Sequence, residues 1–319
     1  MKRVVACLLL AAWAGSSAAQ PYPSKPVRLI VPFPAGSTPD IVGRTLGQKL
    51  AEAWGQPVIV DNRPGAGANI GTAEVARAAP DGYTLLIGSN GPIAINKALY
   101  ANLPFDPDRD LKPISLLAAA PQILAVHPSV PANDLKQLVA FARAHPDKLS
   151  YGSVGSGSAS HLTMELFKSQ ARVSLVHVPY KGFPPVVQDL LSGQIHATFA
   201  IVPAVLPQIR AGRLKGIAVT SEQRTALAPD IATVSEQGFP RFDATAWQGL
   251  LSPAGIPPDA AESISRETQK AMQLREVREL LEKQGFVVIG SSPQFFENFI
   301  RAEREKWTKV VRETGAKAE

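Results

Sequence analysis

The chain has 319 residues, with 33 Lys and Arg against 27 Asp and Glu for a formal net charge of +6 at pH 7. So mild a surplus, spread along the chain without aromatic partners, argues against a nucleic-acid surface. The length suffices for two domains that each bury their own core, and the single cysteine, Cys7, excludes a disulfide framework or a cysteine metal site.

In chain order, Met1-Lys2-Arg3, the apolar run Val4 to Trp13 and the small residues Ser17-Ala18-Ala19 read as a secretory signal peptide over residues 1–19, cleaved before Gln20. Export follows as an expectation. Losing Lys2 and Arg3 takes the basic count from 33 to 31 against 27 acids, a net of +4. Cys7 leaves with the leader and stands too early to begin a lipoprotein. No later segment offers the ~20 unbroken apolar residues of a transmembrane helix.

Val27 to Val31 reads as a buried parallel strand. It runs into the loop Phe33-Pro34-Ala35-Gly36-Ser37-Thr38-Pro39-Asp40. Ser37 or Thr38 suits a helix N-cap and Pro39 the first turn, after which Val42, Leu46, Leu50 and Trp54 recur at helical spacing until Gly55 and Pro57. The loop therefore sits at a helix N-terminus, where free amides and the helix dipole hold an anion without Lys or Arg. Strand Val58-Ile59-Val60, loop Asn62 to Gly71, a helix through Val75 to Ala79 and strand Tyr83 to Ile87 complete a βαβαβ half-domain.

After the extended run Ile114 to Val126, with a hinge expected near Pro121, and a helix capped by Asn133 or Asp134, the plan restarts. Strand Leu149-Ser150-Tyr151 enters the loop Gly152 to His161, followed by a helix with Leu162, Leu166 and Phe167. Strand Leu175 to Val178, loop Pro179 to Phe183, helix Val186 to Leu191 and strand Ala197 to Ile201 follow. Gly36 and Gly65 lie 29 residues apart and Gly155 and Gly182 lie 27 apart, which implies two lobes of like build. Ala244 to Leu251 is expected to cross back, and two amphipathic helices, Asp259 to Gln284 and Pro293 to Glu313, end the chain. In the second, Glu297 and Arg301 form an i,i+4 pair on the wet face.

Five motifs carry a resemblance: Val31-Pro32-Phe33-Pro34-Ala35-Gly36 with Asp40; Asn62-Arg63-Pro64-Gly65-Ala66-Gly67 with Ile70-Gly71; Asp81-Gly82-Tyr83-Thr84-Leu85; Gly155-Ser156-Gly157-Ser158 with His161-Leu162; and Val178-Pro179-Tyr180-Lys181-Gly182. In this order and spacing the chain resembles the substrate-binding receptors of tripartite tricarboxylate transporters, the Bug family. The resemblance implies an α/β, two-lobed periplasmic binding protein of type II-like build, each lobe a mostly parallel sheet flanked by helices, with two crossover strands as hinge. It implies a periplasmic, monomeric receptor for a small organic acid (a di- or tricarboxylate, an amino acid or an aromatic acid) that docks on membrane transporter subunits. Relatives usually carry a second Gly where this chain has Ser37. Ser37 is strained if that position needs positive φ and adds a hydroxyl to the pocket if it does not.

The expected lobes are residues 20–121 with 246–319, and residues 122–245. The expected ligand-binding set is Phe33, Ala35, Gly36, Ser37 and Asp40 from one lobe and Ser153, Gly155, Ser156, Ser158, His161 and Lys181 from the other, with Ser89 near the cleft. Each has a plainer reading: turn-forming glycines, a helix-capping Ser156 or Ser158, a surface acid at Asp40, a backbone-bonded His161 and an exposed Lys181. Trp247 is expected to pack at the crossover and wall the ligand.

Enzyme chemistry finds little support. No G-x-S-x-G elbow surrounds a serine, and Gly65 to Gly71 has one residue too many for a dinucleotide fingerprint and no acid about twenty residues on. His161 and Glu165 share a helix face without a third metal ligand. No catalytic residue, metal or cofactor is expected. A carboxylate sensor without a transporter, or a secreted two-lobed hydrolase, are the rival readings.

Overall fold

Val27, Leu29, Ile30 and Val31 are fully buried in strand β1 (Val27–Val31), as its aliphatic run demands of a central strand covered on both faces. The computed structural model describes residues 22–240 and 242–315. The expected signal peptide and cleavage site lie outside the described residues.

Helix α1 (Thr38–Trp54) lays Val42, Leu46 and Leu50 on the sheet. Gly43 and Gly47 let it approach closely, for a Cβ at Gly43 would stand 3.0 Å from the Val31 side chain and 3.2 Å from Ile87. Next come β2 (Val58–Asn62), a 3-10 turn at Ala66–Ala68, α2 (Asn69–Ala76), which starts before the expected Val75, and β3 (Thr84–Ser89). A π-helical turn, Gly91–Ile95, leads into the short α3 (Asn96–Leu99) and then β4 (Leu111–Ala120).

Pro121 alone separates β4 from β5 (Gln122–Val126), which belongs to the second sheet. The second lobe continues with α4 (Leu135–Ala144), β6 (Ser150–Ser153), α5 (Ala159–Ala171), β7 (Val176–Pro179), α6 (Phe183–Ser192), β8 (Ala197–Ile201), α7 (Val202–Arg210) and β9 (Lys215–Val219). The chain returns through β10 (Ala246–Pro253) and ends with α8 (Pro258–Gln273), α9 (Arg275–Lys283), β11 (Val287–Val288) and α10 (Pro293–Thr314).

One sheet has the order β11-β4-β10-β3-β1-β2 and the other β7-β6-β8-β5-β9. Among the named strands, parallel pairing is confined to the two βαβαβ units, β2-β1-β3 and β7-β6-β8; the strands that pass between lobes, β4, β5 and β10, pair antiparallel. The single helix expected over Asp259 to Gln284 is two, broken where Leu274 turns to φ −61°, ψ 132°. Helix α10 packs Phe296, Ile300, Trp307 and Val310 into a core that also holds Leu124, Leu162 and Phe167, so one apolar cluster spans both lobes beside the crossovers. Glu297 and Arg301 pair at 3.7 Å on its outer face, as expected.

Candidate functional site

The first loop is held by a buried carboxylate. Asp40, 2% exposed, accepts hydrogen bonds from the Gly36 amide (2.8 Å), Arg44 Nε (2.9 Å) and Asn62 Nδ2 (2.9 Å), while Asn62 Nδ2 also donates to the Phe33 carbonyl (3.0 Å). Burial alone would raise its pKa; the bonds from Arg44, Gly36 and Asn62 outweigh burial and hold it below the ordinary carboxylate value. Asp40, expected in the ligand-binding set or as a surface acid, is buried instead, with both oxygens engaged within its own lobe.

Gly36 takes φ +77° with nothing within 4 Å of where a Cβ would stand, and Ala35 and Gly36 are exposed. Phe33 is half-buried against the core beneath α1. Ser37 has φ −73° and ψ 163°, extended backbone that any residue adopts, so serine there carries no strain. It is the N-cap residue of α1, yet its hydroxyl makes no capping bond and its Oγ is buried without a partner. The first-turn amides of α1 therefore gain nothing from that side chain.

The second loop rests on two stacked imidazoles. His161 and His177 lie 4.2 Å apart between ring centroids, and Tyr151 stacks on His177 at 4.9 Å. The Gly157 amide donates to His161 Nδ1 (3.1 Å), and Ser153 Oγ lies 2.7 Å from His177 Nε2 while accepting from the Gly155 amide (3.2 Å). The parallel register of β6 with β7 sets Tyr151 opposite His177 and creates the stack. Burial first, then the neighbouring His177, pushes the His161 pKa down to about 4, so it is neutral and its acceptor nitrogen faces the loop. Tyr151 donates to Glu165 at 2.6 Å, which also takes Lys168, and burial raises the phenol pKa. Ser158 caps α5 by accepting from the His161 amide at 3.3 Å, Ser156 is half-buried beside it, and Lys181 is exposed.

The second loop meets the other lobe at a third segment. A Cβ at Gly157 would stand 2.9 Å from Leu99 Cδ2 and 3.4 Å from Asn96 Oδ1, and a Cβ at Gly91 would stand 3.4 Å from the Gly157 carbonyl. The second loop thus closes on the segment after β3, and Ser89, 7% exposed, ends that strand. Asn96 donates to the Gly67 carbonyl (3.1 Å) and Asn69 Oδ1 (2.6 Å), tying the Gly65–Gly67 loop to the same place.

Trp247 packs at the crossover as expected, but the wall expected of it is corrected. It is fully buried, with its indole N–H on Glu303 Oε2 at 2.9 Å and its ring edge-on to Phe296 and Phe299, so it offers no wall to a ligand. A surface concavity of about 460 Å³ lies where β4 begins and β10 ends, at the end of the first sheet away from the crossovers, and takes no part in this arrangement. Among the described residues no three His, Cys, Asp or Glu side chains gather to hold a metal, and no helix is long and apolar enough to cross a membrane.

Sequence reasoning missed Asn62, Arg44, His177 and Asn96 as groups that hold these loops. Asn62 had a signal, since it ends β2 and begins a quoted motif. His177 looks like an ordinary strand residue until the pairing of β6 with β7 is known.

Residues 42–316 match the model of the tripartite tricarboxylate transporter family receptor. This chain belongs to that family. Among similar receptors, protein BugT of Bordetella pertussis is 37% identical, with 99% of each chain covered. The structure of Rhodopseudomonas palustris Rpa4515 with adipate superposes at a TM-score of 0.84 with 33% identity, covering 93% of this chain and 100% of that one. MatC of Rhodopseudomonas palustris, with bound malate, superposes at 0.81 with 30% identity over 91% of this chain and 100% of that one. The family is one of periplasmic solute-binding receptors, and the two-lobed α/β fold is shared with these neighbours.

Proposed function

We propose that this receptor captures a small organic carboxylate between its two lobes and delivers it to a membrane transporter of the tripartite tricarboxylate type. The observation that carries this reading is the pair of loops, each at a helix N-terminus and each locked from behind, by Asp40 in one lobe and by the His161–His177 stack in the other. Locking consumes the Gly36, Gly155 and Gly157 amides internally, so anion binding falls to the first-turn amides of α1 and α5 and to small groups beside them. The adipate and malate bound by two structural neighbours are ligands of that chemistry. Ala35, Gly36 and Ser37 from one lobe and Ser156 and Ser158 from the other form the clamp, residues 122–245 closing as a unit on the rest.

The protein acts as a receptor and carries out no chemistry on its ligand. Export through the leader at residues 1–19 places it in the periplasm. A thermal-shift screen of refolded protein against mono-, di- and tricarboxylates tests the reading. A ligand at ~100 times its Kd adds about 2.7 kcal/mol of stability, a rise of several degrees. A rise restricted to one chemical family of acids supports capture, and no rise with any acid contradicts it.

A further inference from the structure

Gln248 is 3% exposed, yet its side-chain Oε1 has no hydrogen-bond partner among the described residues. Buried amide oxygens are rarely left so, because desolvation without a compensating bond is costly. Its position explains what would satisfy it.

Gln248 stands directly opposite Ser89, the last residue of β3. Its side chain shares a sheet face with Leu250, and that face is the one covered by α1 together with Val31 and Ile87. The register Arg28↔Thr84 through Ile30↔Leu86, continued along both strands, sets Phe33 level with Ser89. Gly43 of α1 lies over Val31 and Ile87. One helical turn back, about 5.4 Å, matches about two strand residues, so the start of α1 lies over Phe33 and Ser89. Ser37, with its own unpartnered buried Oγ, is the N-cap there. Two orphaned polar atoms on separate elements, Ser37 Oγ and Gln248 Oε1, are thereby brought to one end of one sheet face, under the anion-binding start of a helix.

We infer that Gln248 is a specificity-determining residue of the carboxylate site: with the ligand carboxylate at the α1 N-terminus, Gln248 Oε1 accepts a hydrogen bond from a hydroxyl on the adjacent carbon. The ligand class is therefore a 2-hydroxy carboxylic acid. The inference rests on the carboxylate-capture reading above. An ammonium in place of the hydroxyl is disfavoured, since the positive end of α1 opposes it and Asp40 has both oxygens engaged by Gly36, Arg44 and Asn62. A neutral amide cannot replace the lost hydration of a buried cation. An acid with no donor leaves Oε1 unpaired, which is the situation that gives polar sites their discrimination.

The test is calorimetric titration of the refolded wild type, Gln248→Leu and Gln248→Met with succinate, malate and aspartate, with melting curves for all three proteins. The wild type is expected to bind malate at least about tenfold more tightly than succinate or aspartate. In each folded variant the malate-to-succinate ratio falls to within about threefold, while succinate still binds. Equal wild-type affinity for malate and succinate, or a ratio that survives in a folded variant, overturns the role of Gln248 alone. Failure of the wild type to bind any carboxylate, in this set and in the wider screen, overturns the capture reading with it.

Discussion

The imidazoles of His161 and His177 stack at 4.2 Å, and each is hydrogen-bonded to the same loop, one through the Gly157 amide and the other through Ser153. The loop that faces the opposite lobe is thus built on two stacked rings, of which His161 is kept neutral by burial.

Acid should therefore loosen this loop. Burial holds His161 at about 4 when folded against 6.5 unfolded, so between those values the unfolded chain binds more protons. By linkage, its contribution to stability is complete above about pH 6.5, is lost as pH falls towards 4 and changes no further below that, a total on the order of 3 kcal/mol. Urea unfolding at pH 7.5, 6, 5 and 4.5 should show the decline, and His161→Gln should flatten it. An unchanged slope in the variant would assign the acid sensitivity elsewhere.

Removing the charge at Asp40 should unlock the first loop. Asp40→Asn loses the ion pair with Arg44 and places an amide donor against the Gly36 N–H or against Asn62, at a cost of about 1–3 kcal/mol. The depressed pKa gives the matching pH dependence: the carboxylate stabilises the fold above the usual carboxylate range, and that stability goes as pH drops through the folded-state value. Chemical denaturation at pH 7 measures the first effect, and ligand affinity should fall with it.

A methyl group at Gly157 should resist closure. Gly157 has φ +79°, and a Cβ there meets Leu99 Cδ2 of the other lobe at 2.9 Å, whereas Gly212 has φ +69° with nothing within 4 Å. Both alanine variants pay the backbone strain of about 1 kcal/mol. Only Gly157→Ala should also weaken ligand binding, by about tenfold or more, and raise the radius of gyration in solution scattering with ligand present. Equal behaviour of the two variants would remove Gly157 from the closing contact.

Glu303 should prove indispensable to the return crossover. Its Oε2 accepts the indole N–H of Trp247 (2.9 Å) and of Trp307 (3.0 Å), it pairs with Lys306, and Asn90 links Trp247 to the segment after β3. Glu303→Ala leaves two buried indole donors unpaired and takes the carboxylate from Lys306, which keeps its bond to the Asp243 carbonyl, so a loss of about 3–5 kcal/mol is expected, with a shift in tryptophan fluorescence. Glu303→Gln should recover part of it.

The repeated strand–loop–helix plan was legible because glycine, N-cap and apolar spacing mark each unit locally, as at Gly36 and Ser158. Strand direction was not: the hinge expected near Pro121 does fall between β4 and β5, but nothing in the apolar run Ile114 to Val126 shows that both strands pair antiparallel to their neighbours. The break at Leu274 was hidden because leucine favours helix and the amphipathic pattern continues through it. In the site, the loops could be read, but what holds them could not. Asp40 meets Asn62 across 22 residues, Gln248 meets Ser89 across the sheet, and His177 reaches His161 through strand register. Such partners follow from pairing, which no local pattern records.

Capture between lobes is tested most directly by calorimetric titration of the refolded wild type and of Ala35→Trp with the acid that the thermal screen selects. Ala35 is exposed on the first loop, so a bulky ring there should block the cleft without disturbing the core. The wild type is predicted to saturate at one ligand per chain, while Ala35→Trp melts at the same temperature and binds at least about a hundredfold more weakly. Wild-type affinity in Ala35→Trp would contradict a site formed by that loop.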